Sequence, residues 1–97
     1  IIKSVKLFKK NIKKDLAVKR VILFGSYAKG KYTADSDIDV CVVAQDIQNN
    51  YLAMLRIVPL TIDINPRIEP VVISDIEYSE EPAFGLIREI KQSGIEI

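Results

Sequence analysis

The chain has 97 residues, of which 48% are hydrophobic and 28% are charged, and its formal net charge is +1. These values are typical of a folded globular protein and exclude a disordered or low-complexity chain, and the length predicts a single domain over residues 1–97. Because the sequence contains no histidine, histidine catalysis and histidine metal ligation are excluded, and any metal ion must be held by oxygen ligands.

The first predicted element is a basic amphipathic helix over residues 1–16. Apolar residues recur there at steps of three or four: Ile1, Val5, Phe8, Ile12 and Leu16. Eight of the fourteen Lys and Arg residues lie in residues 1–20, against a single acid, Asp15. We interpret the basic side of this helix as a solvated face, with RNA, anionic lipid or an acidic partner as the alternatives.

Two strands and a helix are predicted next. Residues 18–24 and 37–44 are rich in β-branched residues, which is typical of strands. Residues 45–56 carry apolar residues at helical spacing, and Pro59 is expected to end or kink that helix. Residues 60–65 are predicted to be a linker or a short helical piece.

A third strand and a last helix complete the predicted pattern. The strand covers residues 68–73 and contains Pro70, which cannot donate a ladder hydrogen bond. We therefore expect this strand to lie at a sheet edge or to carry a bulge. Pro82 is predicted to begin the last helix, which ends near Gly94.

The sequence also predicts where the protein resides. Its single cysteine, Cys41, cannot form an internal disulfide, which favours the reducing cytoplasm. No apolar run approaches the roughly 18 to 20 residues of a membrane span, and no secretory leader is visible. We therefore expect a cytoplasmic protein without a membrane segment.

The segment from Gly25 to Lys31 matches the start of a phosphate-binding P-loop, G-x-x-x-x-G-K. That motif needs Ser or Thr at the next position to ligate magnesium, and the sequence has Tyr32 there. A P-loop must also open into a helix, whereas the following YTADSD is rich in turn residues. The P-loop interpretation is therefore disfavoured.

Two aspartates give a better account of the same segment. Asp37 and Asp39 are two residues apart on a predicted strand, so their carboxylates emerge on one face, about 6.5 to 7 Å apart along the backbone. Such a pair repels itself unless a cation lies between, and carboxylates suit Mg²⁺. Gly25 allows close approach of a phosphate, and Ser26 can offer its hydroxyl and amide. A solvated strand face is the alternative.

The motif has a known counterpart. A strand, Gly25-Ser26, ten intervening residues and then the sequence DIDV from Asp37 resemble the DNA polymerase beta-like nucleotidyltransferase superfamily. More narrowly, LFGSYAKGKYTADSDIDVCVV resembles the minimal nucleotidyltransferases, which often act as antitoxins beside a helical HEPN-type toxin. The later RIEPVVIS, followed by a helix and GIEI, extends the resemblance over most of the chain from Val18 onward.

The resemblance implies a fold and a reaction. The fold is an α/β arrangement, a small mixed sheet flanked by helices. The reaction uses a nucleoside triphosphate with one or two Mg²⁺ ions, and it transfers a nucleoside monophosphate to a hydroxyl while pyrophosphate leaves. On this basis we expect transfer of AMP from ATP to a HEPN-type toxin partner. The alternatives are a non-catalytic module that occludes its partner, and transfer to RNA held by the basic helix.

The resemblance also implies the site residues. Gly25 and Ser26 match the triphosphate-binding turn, while Asp37 and Asp39 match catalytic metal ligands.

A third carboxylate usually lies on the neighbouring strand of this family and completes the catalytic and metal-binding set. Glu69 is our choice for it, although family members often have Asp there. Asp63 is the alternative. Lys29 is expected to neutralise phosphate charge, as is Lys31, although exposed turn lysines are common. The acceptor, the preferred base and the choice between homo- and hetero-oligomer stay open.

Overall fold

The structure is a computed structural model that describes residues 1–80 and 85–97. It contains four helices, a short 3₁₀ helix (η1) and four strands within these residues. In chain order they are α1 (Ile2–Ile12), β1 (Ala17–Phe24), β2 (Ile38–Gln45), α2 (Asn50–Ile57), η1 (Val58–Thr61), β3 (Ile68–Ser74), α3 (Asp75–Ser79), α4 (Leu86–Ser93) and β4 (Ile95–Glu96).

The strands form one mixed sheet in the order β3-β2-β1-β4. β1 pairs antiparallel with β2 and β4, while β2 and β3 run parallel. Helices cover both faces: α1 and α2 pack on one hydrophobic cluster, and α4 packs on the other through Ile90. This architecture confirms the predicted α/β fold with a small mixed sheet flanked by helices.

The apolar period of the first helix continues beyond the helix itself. Val5, Phe8 and Ile12 are fully buried, as the spacing predicts. The helix ends at Ile12, and Leu16 is buried from the turn that follows rather than from a fourth helical turn. Within the described residues, no helix combines the length and apolar character needed to cross a bilayer.

The second predicted helix begins later than expected. Gln45 belongs to β2, and Asp46 has a positive φ of 58°, so the chain turns before the helix can start. Asn49 then caps α2, because its side-chain oxygen accepts a hydrogen bond of 3.0 Å from the backbone N–H of Leu52. At the far end the helix gives way to η1, which contains Pro59, as that proline predicts.

β3 is an edge strand, which confirms the position inferred from Pro70. Two elements after it were not predicted, the short helix α3 and the two-residue strand β4. The predicted start of the last helix at Pro82 lies outside the described residues. Its predicted end is confirmed, because α4 stops immediately before Gly94.

Candidate active site

Three residues lie side by side on the adjacent strands β1, β2 and β3. Asp39 on β2 is opposite Phe24 on β1 and opposite Glu69 on β3. Because β2 and β3 are parallel and in register, Asp39 and Glu69 project from the same face of the sheet. Their neighbours Ile38 and Val40 point into the opposite face and are fully buried. The sheet pairing therefore places two of the predicted carboxylates side by side.

Asp37 joins this pair from just outside the strand. β2 begins at Ile38, one residue later than predicted, so Asp37 is an exposed residue at the strand entrance. Its charge nevertheless acts on both Asp39 and Glu69 and raises the pKa of each. Asp63, the alternative third carboxylate, is exposed in the turn after η1. The structure thus brings together Asp37, Asp39 and Glu69.

The three carboxylates make the site electronegative. Burial raises the pKa of Asp39, and the charges of Asp37 and Glu89 raise it further. The pKa of Glu69 is also raised, first by desolvation, then by the charges of Asp37 and Asp39 and by a hydrogen bond that protonated Glu69 donates to Asp37. No positively charged group is among the causes that shift the pKa of Asp39 or Glu69. A proton or a cation would stabilise this cluster.

Gly25 lies close to the carboxylate of Asp39. It follows β1 directly and has a φ of +72°. A Cβ atom at this position would lie 2.3 Å from Oδ2 of Asp39, which is closer than any side chain can approach. A residue with a side chain is therefore disfavoured here for two reasons: the backbone conformation favours glycine, and the Asp39 carboxylate would have to move.

The turn after Gly25 is held by its own backbone. The amide of Lys29 donates to the carbonyl of Gly25 at 3.1 Å, and the amide of Lys31 donates to the carbonyl of Ser26 at 2.9 Å. Gly30 also has a positive φ, 71°, but a Cβ there would meet nothing within 4 Å. Gly30 therefore serves the turn, whereas Gly25 borders the Asp39 carboxylate.

Sequence reasoning missed Arg67, which ties this loop to the start of β3. Its Nε and Nη2 donate to the carbonyl oxygen of Ser36 at 3.1 and 2.8 Å, and Nη2 also donates to the hydroxyl of Tyr27. Tyr27 in turn stacks on Tyr32, with ring centres 4.4 Å apart. One guanidinium therefore fixes both ends of the loop over residues 27–36.

Replacing Arg67 with Ala is expected to loosen this loop and weaken nucleotide binding. Hydrogen bonds to a charged group contribute about 1.5 to 3 kcal/mol, so we expect the Kd for Mg-ATP to rise about tenfold. Calorimetric titration and amide hydrogen exchange of residues 27–36 measure the two effects. Arg56→Ala, at an exposed arginine of α2, is the control. Unchanged exchange in the loop would contradict this role of Arg67.

Lys29, the predicted phosphate contact, has a partner from a distant part of the chain. Its Nζ lies 2.8 Å from Oε1 of Glu89 on α4, and both side chains are partly exposed. Glu89 is also one of the charges that raise the pKa of Asp39. Glu89 therefore offsets the charge of Lys29 beside the carboxylate cluster.

Glu89→Gln is expected to release Lys29 and tighten nucleotide binding. An exposed ion pair contributes about 0.2 to 1 kcal/mol, so the expected gain in affinity is at most about fivefold. Lys29→Gln should weaken binding more in the Glu89→Gln background than in the wild type, which a double-mutant cycle of Mg-ATP titrations measures. Glu96→Gln breaks a different surface ion pair, with Arg20, and is the control. A Lys29→Gln effect of zero in both backgrounds would refute phosphate contact.

The sequence places the chain in a family. Residues 5–96 match the family model described as the nucleotidyltransferase domain. The chain belongs to this family, and it is accordingly a transferase. The resemblance drawn from the motif at residues 25–40 is confirmed.

A curated relative supports the same assignment. A protein of Methanocaldococcus jannaschii named "putative protein adenylyltransferase" is 33% identical over 99 residues, covering 100% of this chain and 98% of the relative.

Solved structures share the fold. A crystal structure of a "putative nucleotidyltransferase" from Sulfolobus solfataricus matches with a TM-score of 0.69 at 22% identity. The match covers 97% of this chain and 76% of the Sulfolobus chain. A structure described as a "toxin-antitoxin with AMP-PNP" matches with a TM-score of 0.65 at 19% identity. This match covers 97% of this chain and 69% of the chain in that structure. At these identities the likeness establishes the fold.

Proposed function

We propose that this protein transfers AMP from ATP, with Mg²⁺, to a hydroxyl of a HEPN-type toxin and thereby acts as its antitoxin. The observation that carries the proposal is the contact between Gly25 and the Asp39 carboxylate, in register with Glu69. It puts a phosphate-accepting turn directly against the acids. The relative named as a protein adenylyltransferase supports AMP and a protein acceptor, and the toxin-antitoxin neighbour with AMP-PNP supports the partner.

The donor set fits Mg²⁺. All three side chains are carboxylates, the ligands that this ion prefers, and no positively charged group is among the causes that shift the pKa of Asp39 or Glu69. In residues 1–80 and 85–97, no three His, Cys, Asp or Glu side chains already form a metal-binding group. Asp37 and Glu69 are exposed, so completing the set takes rotation of side chains rather than movement of strands.

Asp37, Asp39 and Glu69 would hold the Mg²⁺, which supplies charge neutralisation for the phosphates and a lower pKa for the acceptor hydroxyl. The turn at Gly25 and Ser26 binds the triphosphate. The acceptor oxygen forms a bond to the α-phosphorus while the bond from that phosphorus to the β-phosphate oxygen breaks. Pyrophosphate leaves, and the hydroxyl proton passes to the carboxylate of Glu69.

The direct test is label transfer in the complex of this chain with its proposed HEPN-type partner. With Mg²⁺ and ATP labelled at the α-phosphate, we expect labelled partner, a mass increase of one AMP, and an equal amount of pyrophosphate. Label from the γ-phosphate should stay in pyrophosphate. Transfer of the γ-label, or no transfer of either label, would refute adenylyl transfer.

A second candidate is an antitoxin that acts by occlusion with an inactive site. The absence of a preformed three-acid group among the described residues favours it. The two candidates differ in what Asp37→Asn and Asp39→Asn do to toxin neutralisation. Loss of neutralisation with an intact complex supports catalysis, whereas full neutralisation by the double variant supports occlusion.

A further inference from the structure

An open groove of about 530 Å³ lies beside the edge strand β3 and ends at the carboxylate cluster. Asp39 and Glu69 form its polar end. The rest of its lining comes from α2, η1, β3 and the turn between them and is almost entirely apolar: Met54, Val58, Ile62, Pro66, Pro70 and Val71. No part of the predicted triphosphate turn lines this groove.

The position of the groove follows from the sheet order. Gly25 extends from β1 on one side of β2, while Glu69 and the groove lie on β3, on the other side. In phosphoryl transfer the attacking and leaving oxygens are roughly in line across the phosphorus. If pyrophosphate leaves toward Gly25 and Ser26, the attacking hydroxyl must come from the side of β3. The groove is therefore on the acceptor side.

The chemistry of the groove selects the class of acceptor. A nucleic acid needs Lys or Arg for its phosphates, and the described lining contains neither. Val58 and Ile62 are instead apolar side chains that line the groove while 38% and 66% exposed. Leu55, three residues before Val58, is also exposed and extends this apolar surface along α2. Such a surface matches a polypeptide better than a polyanion.

We infer that this groove binds a polypeptide segment whose apolar side chains flank the hydroxyl that accepts the nucleotide. The inference rests on the proposed function, and it adds where the acceptor enters and what surrounds its hydroxyl. Packing on Val58 and Ile62 supplies binding, while Glu69 at the polar end meets the hydroxyl.

The test compares three acceptors, each with Mg²⁺ and ATP labelled at the α-phosphate. The first is a peptide with one central tyrosine flanked by leucine and isoleucine. The second has lysine and glutamate flanks, and the third is a single-stranded RNA with a free 3′ hydroxyl. We expect the apolar peptide to be labelled preferentially. We also expect Ile62→Asn to raise its KM about tenfold, as for loss of apolar contact in a pocket, with Mg-ATP affinity unchanged.

Ile76→Asn is the matched control, because Ile76 is the same residue type with 69% exposure, lies on α3 and does not line the groove. It should leave the KM unchanged. Three results with these acceptors overturn the groove assignment: preference for RNA, equal labelling of both peptides, or a wild-type KM in Ile62→Asn. The assignment is also overturned if the co-purified partner is labelled while neither peptide is labelled. If the wild type labels none of the acceptors, the partner included, the proposed function is overturned instead.

Discussion

Asp39→Asn is expected to abolish nucleotidyl transfer and, at neutral pH, to stabilise the unliganded protein. Loss of the central carboxylate should lower the transfer rate on the order of a hundredfold or more, since small changes at a reacting centre have effects of that size. The gain in stability follows from the raised pKa of Asp39, which shows that the ionised side chain is disfavoured in the folded state. An amide of the same shape removes that penalty.

The pH dependence of this gain has a definite sign. Because the folded-state pKa of Asp39 lies above the ordinary 3.8, the folded protein holds more protons than the unfolded chain between these two values. The free energy of unfolding of the wild type therefore falls as the pH rises through that window, and the Asn variant lacks this loss. Urea titrations without divalent ions should show the difference between the two proteins at neutral pH and its disappearance below the ordinary pKa.

Mg²⁺ should reverse the order of stability. A cation that binds only the folded protein stabilises it more the tighter the cation binds, so added Mg²⁺ should stabilise the wild type more than Asp39→Asn. Asp35→Asn, at an exposed acid of the same loop, is the control and should change neither activity nor the response to Mg²⁺. Full transfer activity in Asp39→Asn would show that the catalytic site does not include Asp39.

The parts of the fold and site that the sequence predicted are those set by short-range patterns. The strand positions follow from runs of β-branched residues, and alternation along β2 placed Asp39 on the face opposite Ile38 and Val40. The edge position of β3 follows from one residue, Pro70, because a missing N–H excludes it from a central strand. The helix α3 was also predictable, since Ser74 and Glu77 form a capping box visible as S-x-x-E.

The parts that could not be predicted depend on residues far apart in the chain. Arg67 binds Ser36 and Tyr27, which are 31 and 40 positions away, and Lys29 pairs with Glu89 across 60 positions. Such contacts leave no periodicity in the sequence. Strand β4 is only two residues long and exists because β1 lies beside it, so its own residues carry no strand pattern.

Gly25→Ala is expected to lower transfer activity about a hundredfold in a protein that still folds, because its methyl group must displace the Asp39 carboxylate. The added Cβ would lie 2.3 Å from Oδ2 of Asp39, so that side chain has to move. A positive φ adds a second effect, since an L-residue in this conformation costs about 1 to 2 kcal/mol of stability. A comparison with the wild type alone would mix the two effects.

Gly30→Ala separates them. Gly30 has nearly the same φ, +71° against +72°, but its added Cβ meets nothing within 4 Å. Both variants should therefore lose stability in urea titrations through the shared backbone strain, and Gly25→Ala should lose at least as much as Gly30→Ala because of its clash. Only Gly25→Ala should lose transfer activity and the stabilisation by Mg²⁺. An equal loss of activity in the two variants would mean that backbone strain alone acts at residue 25. The position of Gly25 against Asp39 would then have no part in the chemistry, because the same backbone change without the clash would have reproduced the loss.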